Sequence, residues 1–195
     1  MEPWNGVADR DLLARLAAGD EEALSLVMAR HERRLYGITY GYLRNSEDAL
    51  EVVQDAFVKL FQQSKRIDAR AEPGAWLTRV AINGAIDRYR QRKRRGAREI
   101  NVETDDLHQV PSASNQGGAM GSLENADRRR VLEHGLRSLN ETQRAVVTLR
   151  HFSELSLDEI ASTLGIRQGT VKSSLNRALA RMKAAILDAD AEARP

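Results

Sequence analysis

The chain has 195 residues, of which 42% are hydrophobic and only 5% aromatic, and it has no cysteine. This length accommodates one or two small domains with aliphatic cores, and the lack of cysteine excludes disulfides, thiolate zinc sites and a cysteine nucleophile. No apolar run reaches membrane-spanning length and no signal-peptide pattern opens the chain, so a cytoplasmic protein is predicted.

Charge is strongly segregated along the chain, although the formal net charge is only +2. Residues 87–98 carry seven basic side chains and one acidic one, and residues 161–187 carry five basic side chains and no acidic one. Between them, residues 99–127 carry six acidic side chains and no basic one. Two cationic blocks around an anionic spacer indicate contact with nucleic acid at two places.

The N-terminal part predicts a short helix followed by a long one. Asp9 or Asp11 is placed to cap the first helix, and Gly19 ends it before Asp20 opens the second. His31 lies on the apolar stripe of the second helix. Because the four histidines never come at metal-ligand spacing, His31 is interpreted as a partly buried packing residue and no metal site is predicted.

A third helix is predicted to begin at Asn45 or Ser46, and one of its faces is acidic. Its buried stripe is predicted to consist of Leu50, Val53, Phe57 and Leu60. Another face gathers Asp48, Glu51, Gln54 and Asp55. That face suits a solvated surface and a docking surface for a basic partner equally well.

A fourth helix is predicted to start at Pro73 and to combine an apolar side with a cationic one. The predicted inward residues are Trp76, Val80, Ala81 and Ala85, and the predicted outward residues are Arg79, Asn83, Asp87, Arg88 and Arg90. The helix then enters a run of four basic residues at 92–95. Such a helix is typical of an element that follows a nucleic-acid backbone. Trp76 suits either the core or stacking on an unpaired base.

Residues 97–127 predict a flexible acidic linker, because residues 111–122 contain no charge and little apolar surface to bury. A helix with Leu136 and Leu139 on its apolar side is predicted over residues 128–139. Asn140 with Gln143 then caps the next helix.

The C-terminal segment, residues 157–182, shows helix-turn-helix spacing. Ser156 with Glu159 forms a capping-box pattern, Gly165 occupies the turn, and Thr170 is the predicted cap of the second helix. The predicted buried stripe of that helix is Val171, Leu175, Leu179 and Met182, and its outer side carries Lys172, Ser173, Asn176, Arg177 and Arg181. Arginine, lysine and asparagine are the side chains that read guanine and adenine edges in the major groove. The alternative is an ordinary helical hairpin with a solvated basic face.

Taken together, residues 48–61, 75–95 and 155–182 resemble a bacterial extracytoplasmic-function (group IV) sigma factor of the sigma-70 superfamily. The resemblance implies an all-α fold with two small helical domains, sigma region 2 at residues 1–96 and sigma region 4 at residues 128–190, joined by the flexible linker at 97–127. It further implies a non-enzymatic RNA polymerase sigma factor without cofactors, responsive to stress or another signal and controlled by an anti-sigma factor.

The resemblance also implies a role for each predicted surface. The acidic face of Asp48, Glu51, Gln54 and Asp55 would dock on the clamp helices of the largest polymerase subunit. The −10 promoter element would be contacted by the fourth helix and by the loop before it, and this loop would hold a flipped base. The residues implied for these contacts are Lys65, Arg66, Arg70, Trp76, Arg79, Asn83, Asp87, Arg88 and Arg90. The −35 element would be contacted by the helix-turn-helix: Arg167, Thr170, Lys172, Ser173, Ser174, Asn176, Arg177 and Arg181. The linker would thread towards the active-site channel, where Asp105 and Asp106 would mimic nucleic-acid charge.

Two other functions share some of these features. A free-standing helix-turn-helix transcription regulator would bind operator DNA without polymerase. A metal-dependent nuclease using Asp105 and Asp106 is disfavoured, because these acids lie in the predicted linker with no other ligand beside them.

Overall fold

The structure is a computed structural model that describes residues 7–68, 71–96, 133–153 and 155–192. It divides into two compact units, and every regular element within those ranges is a helix. The predicted all-α, two-domain fold is therefore confirmed. The predicted linker lies outside the described residues, so the domain boundaries stay predictions.

The N-terminal unit consists of four α-helices. These are α1 (Asp9–Ala17), α2 (Glu21–Leu43), α3 (Ser46–Gln63) and α4 (Pro73–Gly96), with one turn of 3-10 helix at Ser64–Arg66 between α3 and α4. Helices α2, α3 and α4 pack against one another around an aliphatic core, and α1 packs mainly on α2. Tyr42 is fully buried in this core and meets the ring of Tyr89 edge-on, at 5.7 Å between centroids.

The starts of α2 and α3 follow the predicted capping chemistry. The Asp20 side chain accepts hydrogen bonds from the N–H groups of Glu22 and Ala23, and Asn45 rather than Ser46 caps α3 by accepting from the N–H of Asp48. These side chains satisfy N–H groups that the first turn of a helix leaves without partners.

The predicted cap of α1 is wrong. The cap residue is Ala8, which offers no side-chain hydrogen bond. The carboxylate of Asp9 points instead to Arg30 and His31 of α2, at 2.7 and 2.8 Å. Asp9 forms charge-assisted hydrogen bonds with α2 in place of a cap on its own helix, because hydrogen bonds between charged groups are stronger than those to neutral backbone groups.

The predicted buried stripe of α3 is wrong at Leu50, whose residue surface is 45% exposed. Val53, Phe57 and Leu60 are buried as predicted. Positions 49, 52 and 56 complete the buried side with Ala49, Val52 and Ala56. A helix turns by 100° per residue, so Leu50 points 100° away from the buried Ala49 and lies outside the inward face.

In α4 the predicted inward alanines, Ala81 and Ala85, are fully buried. The large core residues of this helix are Leu77 and Ile82, both at 0% exposure, whereas Trp76 is only half-buried. Trp76 therefore lies at the edge of the core, with part of its ring open to solvent.

The C-terminal unit begins, within the described residues, with the helical residues 133–137, called α5 here. It continues through α6 (Glu141–Phe152), α7 (Leu157–Leu164) and α8 (Gln168–Glu192). Leu136, Leu139 and Ala178 form a core cluster, against which Val147 and Met182 pack. The predicted helix over residues 128–139 is thus described only in its second half, where Leu136 and Leu139 are buried as expected.

Local signals position α6 and α7 as predicted. Both capping boxes are present, Asn140 with Gln143 and Ser156 with Glu159. Gly165 ends α7 in the left-handed conformation, with φ at +65°. A residue with a side chain is strained there, so the glycine allows the turn between α7 and α8.

Two predictions for α8 are wrong. The carbonyl of Arg167 accepts hydrogen bonds from the N–H groups of Thr170 and Val171, so the helix begins before Thr170 and this threonine lies in its first turn. Leu179 is 55% exposed and does not join the buried stripe. Leu175 and Met182 are half-buried.

The buried side of α8 consists of Val171, Ser174, Ala178 and Ala185. Apart from Val171 these are small residues, which let two helices approach closely. Sequence patterning favours leucine over serine or alanine as a core residue, and here the close packing of α8 decides the other way.

Candidate nucleic-acid interfaces

One side of α4 presents polar and charged side chains at helical spacing. Arg79, Asn83, Asp87 and Arg90 are all exposed, and their steps of four, four and three residues place them on the same face. Nη1 of Arg90 lies 3.8 Å from Oδ1 of Asp87. The exposed residues 91–95 follow on the same helix and add four basic side chains around it. The structure therefore brings four of the predicted −10 residues together on one solvent-facing surface, the α4 face.

Arg88 differs from these four because ion pairs tie it to α3. Its Nε lies 2.7 Å from Oδ1 of Asp48, and Nη2 contacts Oε2 of Glu51. Nη1 of Arg92 lies 3.1 Å from the second oxygen of Asp48. Two residues predicted for polymerase docking are thus paired with the cationic helix α4. The sequence pattern held no sign of these pairs, which join residues about 40 positions apart.

The outer side of α3 carries apolar side chains among its acids. Glu51, Gln54 and Asp55 are exposed as predicted, and Asp48 is only 16% exposed at its side chain. Three large apolar residues are exposed on the same helix, Leu50, Val58 and Phe61, at 45%, 51% and 40%. Sequence reasoning missed this feature, although positions 50, 54, 58 and 61 follow helical spacing. The surface is amphipathic, with acidic and apolar groups in reach of one partner.

A groove of about 370 Å³ runs between α3 and α4. Its lining includes Asp55 and Lys59 from α3 and Asp87 and Arg88 from α4. At its base, Gly84 leaves so little room that a Cβ there would lie 3.0 Å from Cγ1 of Val52. The two helices are therefore in close contact beneath the groove, and the predicted docking and −10 surfaces adjoin one another.

The connection between α3 and α4 holds three further predicted −10 residues, while Trp76 lies in α4. Lys65 and Arg66 lie in the 3-10 turn and are exposed, whereas Arg70 falls outside the described residues. Ser64 at the start of this connection is buried, and its hydroxyl donates to the carbonyls of Phe61 and Leu16 at 2.9 and 3.5 Å.

A buried polar cluster supports the other end of the connection. His31 is 9% exposed, and its Nε2 lies 2.8 Å from Oδ2 of Asp9. Arg34 donates to the carbonyl of Gly74 at 3.0 Å and to Oγ1 of Thr78 at 3.2 Å. The interpretation of His31 as a packing histidine is confirmed, while the partners of Arg34 were not predicted.

Burial and charge perturb the acid–base chemistry of this cluster. Burial lowers the pKa of His31, and the neighbouring Asp9 opposes that effect without reversing it. Burial alone would raise the pKa of Asp9, but hydrogen bonds and charge from Arg30 and His31 outweigh it and the pKa lies below its ordinary value. Burial also lowers the pKa of Arg34. The cluster is thus held together by an ionised Asp9.

The outer side of α8 keeps most of the predicted −35 residues in solvent. Arg167, Lys172, Asn176 and Arg177 are exposed, as is Thr170 in the first helical turn. Ser173 is half-buried, and its hydroxyl donates to the carbonyl of Thr170 at 3.1 Å. The exposed surface on the first turns of α8, named the α8 face here, therefore presents amide, ammonium and guanidinium groups together.

Ser174 and Arg181 differ from the rest of the set. Ser174 is 9% exposed and lies on the buried side of α8, so its predicted place on the DNA-facing side is wrong. Arg181 is exposed, and its Nη1 lies 3.5 Å from the carbonyl of Ser138 and from Oε1 of Gln143, which ties it to the start of α6.

No group of three or more histidine, cysteine, aspartate or glutamate side chains within the described ranges could hold a metal ion. Asp105 and Asp106, the acids of the nuclease alternative, lie outside those ranges. Among the helices of the described residues, none is both long and apolar enough to cross a membrane.

Comparison with known families gives two matches, one in each unit. Sigma-70 region 2 matches residues 27–95, which include α3, α4 and the connection between them. Sigma-70 region 4 matches residues 129–182, which include α6, α7 and the first half of α8. The matches come in the predicted order, and the exposed faces of α4 and α8 fall inside them.

Similar proteins match three quarters of the chain or more. It is 30% identical over 175 residues to the ECF RNA polymerase sigma factor SigM of Mycobacterium tuberculosis, covering 90% of this chain and 83% of SigM. It is 35% identical over 147 residues to the RNA polymerase sigma-E factor of Streptomyces avermitilis, covering 75% of each chain. The solved structure of CnrH in complex with the cytosolic domain of CnrY superposes with a TM-score of 0.68 at 27% identity, covering 94% of this chain and 99% of CnrH.

Two helical units that match sigma regions 2 and 4 in this order define an RNA polymerase sigma factor of the sigma-70 type. Within that superfamily, the chain belongs to the extracytoplasmic-function sigma factors. The predicted family and the predicted function as a transcription initiation factor are therefore confirmed.

Proposed function

We propose that this sigma factor assigns separate tasks to its two units. The N-terminal unit docks on the clamp helices of core RNA polymerase and opens the −10 element, and the C-terminal unit reads the −35 element. The observation that carries this proposal is the pair of exposed polar helix faces, the α4 face and the α8 face, each inside the sigma region expected to perform that task.

The α8 face has the chemistry of major-groove readout. Lys172 and Arg177 can donate to the O6 and N7 acceptors of guanine, and Asn176 can pair with the N6 and N7 positions of adenine. The face also lies in the chain segment that holds five basic and no acidic residues, so phosphate attraction adds affinity for any sequence. Arg181 and Ser174 are left out of the reading set, because one contacts α6 and the other is buried.

Opening of the −10 element relies on the α4 face and on the connection before it. Arg79 and Arg90 attract the backbone, Asn83 offers an amide to base edges, and the half-buried Trp76 can stack on a displaced base. Each stacked base contributes about 1–3 kcal/mol, which compares with about 1.4 kcal/mol of stacking lost per opened step. Capture of a few bases therefore suffices for opening without ATP.

Polymerase docking uses the outer side of α3. Glu51, Gln54 and Asp55 offer acceptors to a basic partner, and the exposed Leu50 and Val58 beside them give the apolar contact that makes an interface stable. Asp48 belongs to the edge of this surface, where its oxygens already contact Arg88 and Arg92.

Further features of the family extend this proposal. We infer that the chain itself performs no catalysis, which is the task of the polymerase, and that it acts in the cytoplasm in response to a stress or another signal. We also infer that an anti-sigma protein holds it inactive. CnrH, a similar chain over almost its whole length, was solved in complex with the cytosolic domain of CnrY, which supports a protein partner for this chain.

The test is transcription in vitro from a promoter library with randomised −35 and −10 elements, with the chain alone, core polymerase alone, and both together. Only the combination is expected to produce transcripts, and the selected promoters should share two separate motifs. A free-standing regulator would instead select one operator sequence in binding experiments without polymerase and would leave transcription by the core unchanged. That result would overturn the proposal.

A further inference from the structure

Helix α1 lies outside the segment that matches sigma region 2, which begins at residue 27. It is nevertheless firmly attached to the N-terminal unit. Leu12, Leu13 and Leu16 are at most 1% exposed, and α1 packs against α2, α4 and the 3-10 turn. The helix therefore touches the 3-10 turn at the start of the connection between α3 and α4, and also α4, which follows the connection.

At the first end of that connection, the contact involves the backbone of α1. The hydroxyl of Ser64 lies 3.5 Å from the carbonyl oxygen of Leu16 and is buried. The 3-10 turn, which contains Lys65 and Arg66, begins at Ser64. The turn therefore begins in contact with the C-terminal end of α1.

At the second end, α1 acts through α2. Asp9 holds His31 by the 2.8 Å contact and Arg30 by a 2.7 Å ion pair. The ring of His31 packs against the backbone of Gly74 so closely that a Cβ there would lie 2.7 Å from Cε1 of His31 and 2.9 Å from Nη2 of Arg34. Real Cβ atoms do not approach other atoms so closely, so only glycine fits without movement of its neighbours.

Arg34 reinforces this contact at an electrostatic cost. It places a cation at the positive N-terminal end of α4, and its Nε is buried without a hydrogen-bond partner in the described structure. What it gains is a pair of hydrogen bonds to Gly74 and Thr78, which fix the first turn of α4. A costly contact at this position is consistent with a need for an accurately placed helix start.

We propose that α1 is a positioning element for promoter opening, in which Asp9, acting through His31, holds the start of α4 in the place required to open the duplex at the −10 element. This inference rests on the proposed function of α4. The two residues of the connection outside the described ranges, 69 and 70, are not part of it. Asp9 is a positioning residue and does not contact DNA.

The experiment compares Asp9→Asn with Asp11→Asn in holoenzyme. Asp11 is an exposed acid on the same helix, so the control removes the same charge. Open-complex formation is followed by the rate of run-off transcription from duplex promoter DNA and from the same promoter with a pre-opened −10 bubble, with permanganate reactivity of −10 thymines as a second readout on the duplex. We expect Asp9→Asn to slow opening of the duplex about tenfold, as the loss of one charge-assisted hydrogen bond would, whereas Asp11→Asn opens at the normal rate.

On the bubble template both variants should match the unaltered chain, because the opening step is bypassed. A general folding defect would reduce activity equally on both templates and would overturn the proposal. Normal duplex opening by Asp9→Asn would do the same. Gly74→Ala provides a second, independent variant. Alanine has a higher helix propensity than glycine but clashes with His31, so duplex opening should fall while the melting temperature changes little.

Asn83→Ala, on the α4 face, separates the two hypotheses. If Asn83→Ala, as well as Asp9→Asn and Gly74→Ala, leaves duplex opening unchanged, the proposed function of α4 is refuted. If Asn83→Ala slows opening while Asp9→Asn and Gly74→Ala do not, only the positioning role of α1 is refuted.

Discussion

Removal of the Arg88 charge gives a clear test of which cations on α4 meet DNA. Arg88 Nε lies 2.7 Å from Asp48 and its side chain is 31% exposed, with Glu51 as a second partner. Arg90 is 52% exposed, and its ion pair with Asp87 is longer, at 3.8 Å. We therefore expect the charge of Arg88 to be largely compensated within the protein, and the more exposed charge of Arg90 to contribute more to phosphate binding.

The expected magnitudes follow from counterion release and from the strength of partly exposed ion pairs. Each cation that neutralises a phosphate of a single strand contributes about 0.7 to the slope of log K against log salt. Arg90→Gln should lower the slope by about that amount, and Arg88→Gln should leave it unchanged. Arg88→Gln should instead reduce the free energy of unfolding by about 1 kcal/mol, or about 4–8 °C in melting temperature.

The assay is binding of holoenzyme to a labelled non-template −10 oligonucleotide at several salt concentrations, with melting curves of the free protein alongside. If Arg88→Gln lowers the salt slope as much as Arg90→Gln does and leaves the melting temperature unchanged, then Arg88 contacts DNA and the reasoning from the ion pairs is refuted.

Four further predictions address other parts of the chain. Asn176→Ala and Arg177→Ala should each weaken −35 binding by about 1–3 kcal/mol, measured by gel shift of holoenzyme. Ser174→Ala should leave promoter selectivity intact, and equal effects of all three variants would contradict the orientation of α8. Gln54→Ala combined with Asp55→Arg should prevent co-elution with core polymerase, while Glu32→Arg, on the exposed side of α2, should not; normal co-elution of the double variant would reject the docking surface. Ser156→Ala should cost the C-terminal unit about 1 kcal/mol through loss of its capping box, and an unchanged denaturant midpoint would speak against this cap. The stability of the N-terminal unit should fall as the pH drops below about 6.5, because the pKa of His31 is lower in the folded state than its ordinary 6.5 and the unfolded chain therefore binds more protons; His31→Gln should flatten that dependence in pH-dependent melting curves. In the folded state the pKa of Asp9 is lowered from 3.8. The contribution of Asp9 to the free energy of unfolding is therefore fully present above pH 3.8 and is lost as the pH falls through the lower folded pKa.

The features that the sequence predicted well depend on neighbouring residues. The capping boxes at Asn140 and Ser156, and the left-handed turn at Gly165, involve groups at most five residues apart. Their chemistry is complete within the segment itself. For that reason they could be predicted without knowledge of the packing.

The errors arose where packing between distant segments decides. Asp9 pairs with His31, 22 residues away, and so does not cap its own helix. Ser174 is buried and Leu179 exposed, because α8 approaches its neighbours through small side chains. An apolar scale applied to one helix cannot anticipate that choice.

The sequence predicted which residues are exposed at the site better than it predicted which residues pair with one another. The exposed acids of α3 and the exposed polar residues of α4 were identified from helical spacing. The pairing of Asp48 with Arg88 spans 40 residues, and nothing in either segment indicates it. The exposed Leu50 and Phe61 were overlooked because an apolar residue on a core helix is first assigned to the core.

The central claim is that two separate helix faces bind two separate promoter elements when the chain is bound to polymerase. Hydroxyl-radical footprinting of the holoenzyme tests it most directly. The account predicts two protected patches centred about 70 Å apart, or two helical turns of DNA. It also predicts that Asn176→Ala removes only the upstream patch and Asn83→Ala weakens only the downstream one. A single continuous patch that the free chain produces without polymerase, and that both variants weaken alike, would contradict it.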